Sequence, residues 1–173
     1  PRLRFLLADD PGAGKTVMAG LLFKELKMRG VVERVLIIVP AALTIQWQDE
    51  LLRFFGEYFV VINADNDKWQ LGNLWQRESQ VITSMDYAKR PEVRDRVWAA
   101  DWDLIIVDEA HKCSAYTKQS SQRGPEAEKT ERYQLVERFS YQPALSLLFL
   151  TATPHQGDED RFAHFLHLLD PDL

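Results

Sequence analysis

Two short runs carry the residues that could do chemistry. Residues 9–16 read Asp-Asp-Pro-Gly-Ala-Gly-Lys-Thr, and residues 108–111 read Asp-Glu-Ala-His. Gly12 and Gly14 lack Cβ atoms, so the backbone of Asp10, Pro11, Gly12, Ala13 and Gly14 can close around an anion. Lys15 then offers a cation to the β and γ phosphates of a nucleotide, and Thr16 a hydroxyl to magnesium. In the second run Asp108 is the expected magnesium holder. Glu109 is the expected base for an attacking water, and His111 a link from that station toward Thr151 or Thr153. The plain alternatives are a glycine-rich turn before an ordinary helix and a pair of solvated acids after a strand. Together the two runs favour nucleoside triphosphate hydrolysis over both.

Each run needs a strand before it. Leu3 to Ala8 is a short apolar run, and from Lys15 to Met28 the apolar residues recur at helical spacing, giving the strand–turn–helix that a phosphate loop requires. Trp102 to Val107 ends in Leu-Ile-Ile-Val, a strand buried on both faces. Further strands are predicted over Val35 to Val39, Tyr58 to Ile62, Gln80 to Thr83 and Ala144 to Leu150. Helices are predicted after Pro40-Ala41-Ala42, around 69–75, over Pro91 to Ala100, over Glu131 to Phe139, and from Asp158 or Glu159 onward, with Phe162, Phe165, Leu166 and Leu169 on one face. Residues 114–130 are polar, contain Gly-Pro and are expected to form a mobile loop. Short apolar strands alternating with helices predict an α/β fold, a doubly wound, mostly parallel sheet with helices on both faces.

The chain has 173 residues, enough for one domain across 1–173. Lys plus Arg number 21 against 26 Asp plus Glu, a net charge of −5. A chain of that balance does not grip nucleic acid by bulk charge, so any such contact must be local. No apolar stretch reaches membrane-spanning length, and no secretory signal is evident. Cys113 is the single cysteine; it cannot form an internal disulfide, suits a reducing intracellular setting and is expected to be a packing residue.

At this point the motifs stand in a specific order. Residues 9–16, Pro40-Ala41-Ala42-Leu43, Thr83-Ser84, residues 108–111 and Leu150 to Pro154 resemble helicase motifs I, Ia, Ib, II and III. The chain resembles the first RecA-like lobe, a P-loop NTPase domain, of a superfamily-two helicase. More narrowly it resembles the Swi/Snf-type double-stranded DNA translocases, whose loop also has Asp where other helicases keep the glycine replaced here by Asp9. The Asp-Pro variant looks most like bacterial members related to the RNA-polymerase-associated remodeller and to phage-defence helicases. Departures are Ala152 between the two threonines of motif III and His155-Gln156-Gly157 after Pro154.

The resemblance implies ATP and Mg2+ as cofactors and double-stranded DNA as a sequence-tolerant track. It implies backbone-phosphate contacts from Pro40, Ala41, Ala42, Leu43, Thr83 and Ser84, and a coupling role for Thr151 and Thr153. For Thr83-Ser84 a strand-end cap is the structural alternative. It also implies a second RecA-like lobe supplying an arginine finger and possible protein partners. The lobe alone is expected to be nearly inactive, an excised lobe or half of a split site. A cytoplasmic, bacterial setting follows from the same likeness. An RNA helicase lobe and a nucleotide-gated protein-binding module are the competing readings. Trp47 is expected in the core, on the apolar stripe of its helix. His155, His164 and His167 are expected to be structural or surface residues, not a metal site, and the charged segment 123–138 a solvated face.

Overall fold

The computed structural model describes residues 2–8, 14–113 and 130–151, together with residues 167 and 169. Six strands form one sheet: β1 (Arg4–Ala8), β2 (Val35–Val39), β3 (Val60–Ile62), β4 (Gln80–Ser84), β5 (Leu104–Val107) and β6 (Ser146–Thr151). Their order is β1-β6-β5-β2-β4-β3, and every neighbouring pair is parallel. This is the expected α/β architecture.

Parallel strands cannot be joined by tight turns, so helices cross over the faces. They are α1 (Lys15–Met28), α2 (Thr44–Phe55), α3 (Leu74–Arg77), α4 (Met85–Ala88), α5 (Pro91–Ala99) and α6 (Glu131–Ser140). Side chains alternate across a strand, and the sheet divides its apolar residues accordingly. Val35, Ile37, Val39, Ile82, Leu104, Ile106, Leu148 and Leu150 meet Phe23 of α1 and Trp47 and Leu51 of α2. Leu36, Ile38, Val81, Ile105, Val107, Leu147 and Phe149 meet Val93 and Val97 of α5 and Val136 and Phe139 of α6. All residues of β2, β5 and β6 are buried. That explains why their sequences are continuous apolar runs and not alternating ones.

Local chemistry sets the element ends. Thr130 caps α6 by accepting from the Tyr133 amide, and Pro91 opens α5. α2 stops at Gly56, whose φ of 66° lets the Glu57 amide return to the Leu51 carbonyl. β3 is shorter than its apolar run because side-chain amides occupy its first carbonyls: Gln80 donates to Tyr58 and Gln48 to Phe59. β5 begins at Leu104 because the Trp102 indole is turned back onto the Val97 carbonyl. β6 begins at Ser146, whose hydroxyl accepts from the Leu3 amide. The helical piece near 69–75 is split by Gly72, φ 103°, into a single 3-10 turn (Trp69–Leu71) and α3. The short α4 after Ser84 matches the alternative reading of Thr83-Ser84 as a strand-end cap before a helix. The loop expected at 114–130 lies outside the described residues except for Thr130. Of the final helix only residues 167 and 169 are described; both are helical, and Leu169 joins the core.

The register brings the carboxyl ends of the strands together. Ala8 pairs Thr151, Val39 pairs Ser84, Ile38 pairs Val107, and Val107 pairs Phe149. The strands that precede the motifs singled out in the sequence therefore end at one edge, where open parallel sheets place ligands.

α1 and α2 cover one face together, and Gly20 sets how closely they meet. A Cβ built at Gly20 would clash with the edge of the Phe55 ring. Gly20→Ala should therefore destabilise the domain by about 1–3 kcal/mol through overpacking. In a Phe55→Ala background the same change should stabilise by about 1 kcal/mol, since only helix propensity remains. Denaturant unfolding of the four proteins of this cycle checks the reversal of sign.

Candidate functional site

The phosphate-loop end of the site begins at Gly14, which precedes α1 with φ 66°, a conformation costly for residues with a Cβ. Lys15 and Thr16 form the first turn of this 14-residue helix, which carries no acidic side chain there. Its unpaired amides and partial positive charge therefore face the sheet edge unopposed. Asp10, Pro11, Gly12 and Ala13 lie outside the described residues, as does Asp9.

The acidic station stands beside it. The Asp108 amide extends β5 by one bond to the Ile38 carbonyl at 2.8 Å. The Asp108 carboxylate accepts from the Glu109 amide at 2.9 Å and has the Lys15 ammonium 4.0 Å away. Burial pushes this carboxyl above the ordinary value of 3.8; the Glu109 amide, Lys15 and the Trp47 indole pull it back only in part. A carboxylate buried with too little positive charge is the donor a divalent cation needs. Thr16, buried in the adjacent first turn, is the matching hydroxyl. The residues present thus fit Mg2+ with a triphosphate. Glu109 itself has φ 51°, the one left-handed backbone among the described non-glycine residues. Such strain is stored where a side chain must be aimed.

His111 follows in a 3-10 turn, and its Nδ1 lies 3.0 Å from the Thr151 hydroxyl at the end of β6. Desolvation lowers the His111 pKa, opposed by Glu109. A neutral ring shares one proton with that hydroxyl, in a direction set by its tautomer. The sequence-level pairing of His111 with Thr151 is thus met in space. Thr153, and His155 and His164, lie outside the described residues.

The nucleic-acid candidates separate on inspection. Pro40 leads into a 3-10 turn, Ala41–Leu43, that continues as α2, and Ala41 and Ala42 are exposed. Leu43 instead leans on the core, leaving only its backbone at the edge. Thr83 is a correction: its side chain is fully buried and donates to the Ile62 carbonyl at 2.9 Å, so its hydroxyl cannot meet a phosphate. Ser84 caps α4 by accepting from the Tyr87 amide at 3.0 Å.

Sequence reasoning missed three features. Trp47 is buried as expected, yet from α2 it also helps to lower the Asp108 carboxyl's pKa against the effect of burial. Asp67 gathers the Tyr87 hydroxyl at 2.6 Å, Arg96 at 2.7 Å and the Trp75 indole at 3.2 Å on one carboxylate oxygen, anchoring α4 from behind. Burial and Asp67 together push the Tyr87 phenol up to about 12. A cavity of about 130 Å3 opens beside Asp108 and Glu109, with Pro40 on one wall and Met85 on the other. None of these had a local sequence signature, because each joins residues from different crossovers. Cys113 is buried and its thiol pushed up to about 12 by burial, as befits a packing residue. Among the described residues no group of three potential ligands could hold a metal by protein atoms alone, and no helix is long and apolar enough to cross a membrane.

Comparison with known proteins agrees with this geometry. The family model for the SNF2-related domain matches residues 3–173. The chain belongs to that family. SNF2-related relatives include the RNA polymerase-associated proteins RapA of Serratia proteamaculans (38% identical over 97% of this chain) and Erwinia tasmaniensis (39% over 98%). The chain spans 17% of the length of each. Among solved structures, the Sulfolobus solfataricus SWI2/SNF2 ATPase core in complex with dsDNA matches 98% of this chain and 32% of its own, with TM-score 0.73 and 23% identity. The Pyrococcus furiosus Hef helicase domain matches 97% of this chain and 33% of its own, with TM-score 0.72 and 19% identity. At these identities the two structures speak for the SNF2-type, RecA-like fold.

The buried Asp108 carboxyl has a consequence for stability. Its folded-state pKa is raised, so the folded protein favours the neutral form, and ionisation at neutral pH costs stability. Below the ordinary value of 3.8 that cost is absent. Asp108→Asn should therefore raise the melting temperature at pH 7 without nucleotide or metal, by roughly 0.5–2 kcal/mol in stability. The gap should close as the pH falls toward 3.8, and calorimetry across that range checks it.

Proposed function

We propose that this SNF2-related domain is the ATP-binding lobe of an ATP-dependent double-stranded DNA translocase, hydrolysing ATP to drive movement on DNA when joined to a second RecA-like lobe. The observation that carries the reading is the meeting of Lys15 and Asp108 at one edge of the sheet, from motifs far apart in the chain.

In this reading Asp10 to Gly14 line the phosphates and Lys15 neutralises their charge. Thr16 and Asp108 hold Mg2+, which when bound polarises the terminal phosphoryl group and draws off charge from the leaving oxygen. Glu109 orients the attacking water and accepts its proton. His111 and Thr151, in contact across β5 and β6, pass the state of that site toward the track, with Thr153 beyond them. The track itself is met by the backbone of Pro40, Ala41, Ala42 and Leu43 and by Ser84, all at the same edge. Phosphate contacts of this kind hold a duplex without reading its bases.

The second lobe would supply the arginine finger, worth about three to five orders of magnitude in rate, so the lobe alone should turn over slowly. The intact protein would act inside a bacterial cell. The relatives' name makes a protein partner of the RNA polymerase kind part of the same proposal.

In the full-length protein Lys15→Ala should abolish nucleotide binding. Glu109→Gln should bind nucleotide normally yet lose turnover by about 10²–10⁴-fold. Fluorescent-nucleotide titration and steady-state ATPase assays with duplex DNA, duplex RNA or neither check both. Full-rate hydrolysis by Glu109→Gln ends the assignment of the base. Stimulation by RNA and not by DNA would favour an RNA helicase lobe, and no stimulation by either a protein-binding module.

A further inference from the structure

The cavity beside the acidic station holds an ion pair that the proposed cycle does not use. Glu109 immediately precedes the 3-10 turn (Ala110–Cys113) and Lys112 lies on it, with the Lys112 ammonium 2.7 Å from Oε2 of Glu109. One of the two carboxylate oxygens that could accept a water proton is therefore engaged, and the ammonium draws off charge from the whole carboxylate. The pair is not deeply held: the Lys112 side chain is 53% exposed and that of Glu109 33%. An exposed pair like this exchanges partners at little cost.

Other anions could reach the same ammonium. Pro40 and Ala41 form one wall of the cavity and Met85 another, and Lys112 and Arg132 line it beside the carboxylates of Asp86, Asp108 and Glu109. These walls are the two loops proposed to meet the track, the turn entering α2 and the start of α4. Asp86, the acid nearest Arg132, is itself bridged by Lys89 at 3.4 Å and Arg132 at 3.3 Å. Although burial opposes it, those two cations hold the Asp86 carboxyl below its ordinary range. Lys112 pairs instead with Glu109. A volume of about 130 Å3 is that of several waters at about 30 Å3 each, room for one tetrahedral phosphate.

We infer that Lys112 restrains Glu109 until a backbone phosphate of the DNA track enters this cavity, takes over the Lys112 ammonium and frees the carboxylate to accept from water. Lys112 is thus a positioning residue, acting on the reaction through Glu109 and making hydrolysis answer to DNA. The inference rests on the translocase reading above. No bond to Lys112 forms or breaks; one ionic partner replaces another.

The test uses the full-length protein and a short blunt DNA duplex. Lys112→Ala should raise the duplex-free ATPase rate roughly two- to five-fold, the range an exposed pair can withhold. It should lower the ratio of stimulated to unstimulated rate by at least that factor. Nucleotide affinity and melting temperature should stay at wild-type values, and Lys112→Arg should restore the wild-type ratio. The inference is overturned if the wild type is stimulated by the duplex while Lys112→Ala leaves both rates unchanged, raises them equally, or slows the duplex-free rate. If the duplex does not stimulate the wild type, the translocase reading itself has failed and this inference goes with it.

Discussion

A carboxylate held out of water with too little positive charge around it governs the site. Asp108 is buried at the end of β5, and one ammonium at 4.0 Å and the Glu109 amide do not make up for the lost hydration. The domain tolerates this because the carboxylate is fixed from several sides. Its own amide continues the sheet to Ile38, the Glu109 amide closes on Oδ1, and the Trp47 indole approaches from α2. Stability is surrendered at this point, and the carboxylate is held in one position at the sheet edge.

The remainder of the fold keeps the other groups at fixed distances from that carboxylate. β5 and β6 lie side by side, so His111 after one strand and Thr151 at the end of the other come within a hydrogen bond. The missing Cβ of Gly20 lets α1 and α2 approach closely, and these are the helices that begin with Lys15 and follow the Pro40 turn. On the opposite face Asp67 fastens Tyr87, whose amide is capped by Ser84. The Lys15 end and the Ser84 end are thus fastened separately to one sheet.

Much of this was legible in the residues. β2, β5 and β6 could be recognised because strands buried on both faces must be continuously apolar. That Lys15 and Asp108 meet could be expected because each follows an apolar strand run, and they lie 4.0 Å apart. Thr83 could not be resolved from sequence. A hydroxyl at a strand end suits a phosphate or a neighbouring carbonyl equally, and only the pairing of β3 with β4 delivers Ile62 to it. The double role of Trp47 was hidden for a related reason: helical periodicity fixes which way an indole faces, but not which acid waits there. Lys112 and Arg132 come to one cavity from different crossovers, and no local pattern records such a meeting.

The sheet order has a kinetic corollary. Among the described strands β1 has a single neighbour, β6, and the Leu147 amide already bonds the Leu3 carbonyl where the two begin. The residues of β1 are therefore made well before residues 146–151, the described strand that they pair. At about 5–20 residues per second, synthesis separates the two by several seconds. Their pairing closes the longest-range contact among the described strands and brings Ala8 level with Thr151.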